Sequence, residues 1–139
     1  MGAWSETIMG NDSILDAEAG LQAVINGEYD CEYVYNRKDI EQNIDLIVKD
    51  IDDDRYYQRY AYQCLGVKIL ETGADVDKRI IDKCIEFCYD DYDNWSNPNK
   101  RKFFMEDLKE KLENHEPGKI QKVASEGLFE KIYKGLTGE

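Results

Sequence analysis

Apolar side chains recur every three or four residues along most of this chain, and the runs are bracketed by residues that start or stop helices. Ile14, Leu15, Leu21, Val24 and Ile25 mark the first helical face; Asn11-Asp12-Ser13 supplies acceptors for its free amides and Asn26-Gly27 a left-handed stop. Gly20, in its middle, either weakens this helix or lets a neighbour pack close. Ile40, Ile44, Ile47, Val48 and Ile51 give a second amphipathic helix over Arg37 to Ile51. After Asp52-Asp53-Asp54 the apolar positions Tyr56, Tyr57, Tyr60, Ala61, Cys64, Leu65, Val67 and Ile69 cover more than half a helix circumference, which predicts a central helix.

That helix is expected to stop at Thr72-Gly73, with Asp75 or Asp77 opening the next, which buries Ile80, Ile81, Cys84, Ile85 and Phe87 or Cys88. So short a connection predicts an antiparallel helical hairpin over residues 54–92. Asn97-Pro98 then starts a helix with Phe103, Phe104, Leu108 and Leu112 on its face, running to Asn114. Beyond Glu116-Pro117-Gly118, the spacing of Ile120, Val123, Ala124, Leu128, Ile132 and Leu136 predicts a last helix, weakened around Ser125 and Gly127.

Two stretches lack that period. Tyr29, Cys31, Tyr33 and Tyr35 alternate with other residues and fit a short strand, a loop or a short helix; residues 89–97 read as a loop. With no fixed-period repeat or linker, the expectation is an all-α protein: one domain over 1–139, an irregular bundle of about six helices with a central helical hairpin.

Charge narrows the partners. The 139 residues carry a net charge of -12; residues 1–95 hold 22 Asp and Glu against 9 Lys and Arg, and residues 96–139 hold 8 against 9. Such a field repels nucleic acid and anionic lipid and steers basic partners. Glu6 and Asp12 interrupt any apolar leader, and no stretch approaches the roughly 20 apolar residues of a membrane span. Cys31, Cys64, Cys84 and Cys88 are therefore expected as reduced thiols in a cytoplasmic protein.

Candidate chemistry is sparse. Cys84 and Cys88 share a helix face and could meet Cys64, but the single histidine, His115, sits elsewhere and no Cys-x-x-Cys pair exists, so the thiols read as small core hydrophobes and no metal is expected. The aspartates at 50–54 lack the Gly and terminal Glu of a calcium loop, no nucleophile accompanies His115, and no Gly-rich phosphate loop is present. The expectation is a protein that is not an enzyme and takes no cofactor. What rises above this background is an interface composition: Asp50, Asp52, Asp53 and Asp54, with Asp90, Asp91 and Asp93 around Tyr92 and Trp95. The plainer alternative has Trp95 packed on the bundle and the aspartates keeping the protein soluble.

The opening Met1-Gly2-Ala3-Trp4, followed by Gly10-Asn11-Asp12 and Asp16, resembles the start of the bacterial domain-of-unknown-function family 4259, whose members begin Met-Gly-x-Trp-Gly and place an Asn-Asp pair before the first helix. Ser5 stands where a Gly is usual, and Ala17 where an aromatic commonly follows the second Asp. The resemblance implies a small cytoplasmic helical protein without known enzyme activity, of a type at home beside bacterial immunity and phage-defence genes. It carries over Trp4, Asn11, Asp12 and Asp16, for which capping and anchoring are sufficient roles. Together these readings favour an immunity or antitoxin-type inhibitor of a basic toxin enzyme. A phage-encoded nucleic-acid mimic that inhibits a bacterial defence nuclease, and a small enzyme or metal-dependent regulator, are the alternatives.

Overall fold

The computed structural model describes residues 6–124 as five α-helices and one 3₁₀ turn, with no strand among them. The helices are α1 (Asp12–Asn26), α2 (Arg37–Asp53), α3 (Gln58–Thr72), α4 (Lys78–Glu86) and α5 (Pro98–Glu113); the 3₁₀ turn is Tyr92–Asn94. Their ends follow local chemistry. Asn11 Oδ1 accepts the Ile14 amide at 3.0 Å, Asn36 and Asp39 form a reciprocal capping box on α2, and Asn97 Oδ1 accepts from Lys100 N ahead of Pro98. Gly27 and Gly73 close α1 and α3 at φ 84° and 70°.

α3 is the axis of the bundle. It packs against α1, α2, α4 and α5, and every residue from Tyr62 to Leu70 is buried. Gly66 permits the closest approach, since a Cβ there would lie 3.1 Å from Leu112 Cδ1 and 3.5 Å from Cys84 Cβ. Early α3 meets late α4: Tyr62 stacks on Phe87 at 5.1 Å, and Gln63 Nε2 donates to the carbonyls of Phe87 and Tyr89, as an antiparallel hairpin requires. Lys68, also within α3, reaches Glu18 of α1 at 2.9 Å across the Tyr35 ring. An ammonium so deep in a core needs such a partner.

One open reading resolves to a loop, and two expectations change. Residues 28–36 form neither strand nor helix but a turn-containing connection, held by Gln22 Oε1 on the Asp30 amide and by Tyr33 Oη donating to Asp39. Tyr56, counted on the central helix face, precedes α3 and is exposed, because Asp54 Oδ1 takes the amides of Tyr56 and Tyr57 and turns the chain before the helix begins. The stretch Ile120–Ala124 is not helical. Amides here are spent elsewhere: just ahead of the stretch Gly118 N donates to Gly73 O, and within it Gln121 N donates to Leu70 O, both at 2.8 Å, and Ala124 N to Asp107 Oδ2. The tail thus satisfies carbonyls that α3 leaves open at its buried C-terminus. Leu128, Ile132 and Leu136 of the expected last helix lie outside the described residues, as does Trp4.

Gly27 and Gly73 separate the cost of a left-handed backbone from that of a close contact. A Cβ at Gly27 meets nothing within 4 Å, whereas one at Gly73 would lie 3.1 Å from the Gly118 carbonyl carbon. Gly27→Ala should cost about 1–2 kcal/mol in urea unfolding, and Gly73→Ala more, the excess measuring the seat of the tail. Equal losses would show that the tail gives way freely.

Candidate functional site

The two acidic stretches singled out in the sequence meet very different surroundings. In the first, the aspartates divide their work. Asp52 Oδ1 accepts the Tyr62 hydroxyl at 2.6 Å and Gln58 Nε2 at 3.2 Å, tying the end of α2 to α3, while Asp54 holds the turn between them. Burial and then the Asp52 contact push the Tyr62 phenol well above its ordinary value, so it stays a donor. Asp53 is exposed and takes no part in these contacts.

Asp50 and Asp54 instead face Asp16 of α1 across a cleft of about 210 Å³ walled by α1, α2 and the entry to α3. Leu21, Val24, Ile47 and Ile51 make its apolar sides, and Gly20 and Tyr57 contribute to its lining. Asp16, taken from the sequence as part of a structural opening, therefore belongs to the same acidic group as the 50–54 run. Asn11 is the N-cap of α1, and Asp12 is exposed in its first turn, which suits the positive end of the helix.

The second stretch is built around a buried charge that the sequence reading missed. Arg101 of α5 is fully buried; its Nε donates to Asp90 Oδ2 at 3.1 Å, its Nη1 to the carbonyls of Thr7 at 2.9 Å and Glu6 at 3.3 Å, and its guanidinium lies 4.1 Å from the Trp95 ring. Asp90 Oδ1 accepts the Asp91 amide at 2.8 Å and the Tyr60 hydroxyl at 3.3 Å, with Arg59 Nη2 also at 3.3 Å. Burial pulls the Arg101 guanidinium below the ordinary arginine value, and Asp90 opposes that pull.

This overturns part of the expected interface. Asp90, 7% exposed, and Trp95, 9% exposed, are not available to a partner: one neutralises Arg101 and the other covers it. Asp91 and Asp93 remain exposed, and Tyr92 is half-buried against the core. A sequence signal for the hub existed. Arg101 lies at helical spacing with Phe104, Met105, Leu108 and Leu112, so it falls on the buried stripe of α5.

No family model, curated protein or solved structure matches the chain. The resemblance to family 4259 rests on the opening residues alone. Among the described residues no group of three His, Cys, Asp or Glu is arranged to hold a metal ion, and no helix is long and apolar enough to cross a membrane. His115 Nε2 lies 2.8 Å from the Ala74 carbonyl, an anchoring contact near the start of α4. Cys64 and Cys84 are buried, and burial pushes the thiols of Cys64 and Cys88 up to about 12.

Two outcomes test this geometry. Arg101→Met or Asp90→Ala alone should lower unfolding free energy by about 3–5 kcal/mol, because each strands the other's buried charge, whereas Asp93→Ala should stay within about 0.5 kcal/mol. Comparable small losses in all three would place the pair in solvent. Thiol labelling at mildly alkaline pH, followed by intact mass, should modify Cys31 rapidly, the partly buried Cys88 more slowly, and Cys64 and Cys84 only after unfolding, since thiols buried and held protonated do not react. Rapid labelling of Cys64 or Cys84 would contradict their burial.

Proposed function

We propose that the protein is a cytoplasmic immunity or antitoxin-type inhibitor that binds a basic partner enzyme, such as a toxin domain, through its α1–α2 face and works by occlusion rather than by catalysis. The observation that carries this reading is the unneutralised charge of that face. Residues 12–54 hold 13 Asp and Glu against 3 Lys and Arg, so most of the chain's -12 resides there. Ion pairs are few on it: Arg37 meets Glu41, and Lys68 of α3 meets Glu18. Asp16, Asp45, Asp50 and Asp53 have no ion-pair partner among the described residues. Elsewhere carboxylates are matched more closely, as in Asp90 with Arg101, Asp82 with Lys78 and Asp107 with Lys111.

Apolar side chains lie in the same half. Leu46 and Val34 are largely exposed, and Tyr56 projects beside Asp54. Large apolar groups set among unpaired carboxylates provide both halves of an interface: contact area to bury, and a field that steers a cationic surface. The opening similar to family 4259 agrees with this reading.

Affinity purification from the native host, with the product of the adjacent gene tested for direct association, examines the proposal. A basic protein should bind stoichiometrically and lose its activity on binding, with affinity falling about tenfold or more from low to high salt. Absence of a basic partner, affinity indifferent to salt, or a complex that leaves the partner fully active would refute it.

A further inference from the structure

Gly20 sits in the middle of α1 without a conformational reason to be glycine. Its φ is not in the left-handed region, and a Cβ there would come no closer than 3.9 Å to any neighbour, that neighbour being Asp50 Oδ2. Glycine weakens a helix at such a position relative to alanine. Close packing against α2 does not require it either, since 3.9 Å is ordinary contact. What the missing side chain does is leave open the cleft between α1, α2 and the entry to α3, which Gly20 lines.

We infer that this cleft is a socket for one arginine side chain of the basic partner, an assignment that rests on the inhibitor reading above. Three properties favour that occupant. The walls are apolar, and Leu21, Val24, Ile47 and Ile51 suit the aliphatic stem. Asp16, Asp50 and Asp54 supply carboxylates, and Tyr57 an aromatic ring, which are the groups a guanidinium accepts. Asp16 and Asp50 have no ion-pair partner among the described residues, and Asp54 commits only Oδ1, to backbone amides. At about 210 Å³ the cleft falls below the roughly 300–1,000 Å³ of sites for free small molecules, and so fits a single inserted side chain.

Charge complementarity decides between an arginine and an apolar plug. Three like charges around an apolar cleft repel one another and lose solvation when an uncharged group covers them, whereas a guanidinium relieves both costs.

Backbone amide shifts followed during titration with N-acetyl-arginine amide test the socket, with N-acetyl-citrulline amide as an uncharged control of similar shape. Saturable shifts centred on Gly20, Asp50 and Ala61, which lines the cleft from α3, are expected with the arginine probe and not with citrulline. Gly20→Leu should fill the cleft and abolish them while melting at or above the parent temperature, and Asp50→Asn, an exposed change that should not affect folding, should weaken binding about two- to five-fold. Equal responses to both probes, shifts centred on Asp91 and Asp93, or full binding by Gly20→Leu would overturn the assignment. With a basic partner in hand, undiminished binding by Gly20→Leu would reject the socket and leave the inhibitor reading standing. Absence of any basic partner would reject that reading, whatever the probe does.

Discussion

A guanidinium removed from water must be given back nearly all that water supplied, and Arg101 meets that constraint by recruiting distant parts of the chain. Asp90 arrives from the α4–α5 connection, the Glu6 and Thr7 carbonyls from the segment before α1, and the Trp95 ring covers the ion. None of these pieces has a regular ladder of its own. Their conformations are fixed because each satisfies one part of a single buried charge. Tyr60 and Arg59 then attach the same carboxylate to the first turn of α3, so the loop, the N-terminal segment, α5 and the central helix share one anchor.

The central helix raises the complementary problem at its other end. α3 is surrounded on all sides, and its last carbonyls cannot rely on solvent. Gly73 turns the chain left-handed, and the tail returns past α5 to place amides of Gly118 and Gln121 on Gly73 and Leu70. Lys111 adds a bond to the Lys122 carbonyl, and Asp107 accepts the Ala124 amide, so α5 holds the strap from the other side. A sequence segment with helical spacing is thereby drawn out straight. Satisfying the orphan groups of a buried helix outweighs the local preference of five residues.

This explains which features were legible in the sequence. The period of Ile40, Ile44, Ile47, Val48 and Ile51 depends only on one helix burying one face, and α2 follows it closely. The caps at Asn11, Asn97 and Gly73 depend on residues a few positions apart and are equally readable, and the Asn36–Asp39 capping box, equally local, went unread. Asp90 is different. In a run with Asp91 and Asp93 its composition is that of a solvated loop, and only Arg101, eleven residues on, sets it apart. Trp95 reads as an exposed anchor for the same reason, since the cation that stacks on it belongs to another element. The grouping of Asp16 with Asp50 and Asp54 spans more than thirty residues and two helices, a distance that no periodicity reports.

The carboxylates therefore fall into two populations distinguished by what opposes them. Asp90 and Asp107 face cations within the fold and act as struts; replacing them would loosen the bundle. Asp16 and Asp50 face one another across an apolar cleft that a mid-helix glycine leaves unfilled, and neither the like charges nor the glycine stabilises α1 or α2. Lys68 and Arg101, charges taken into the interior, each sit beside a partner, whereas the exposed Asp16 and Asp50 flank an apolar cleft with no ion-pair partner among the described residues. Departures from local stability rules concentrate where a surface must stay ready for something outside the fold. The unfilled cleft and its unmatched charge are the same deficit seen twice, and one cationic side chain of suitable length corrects both.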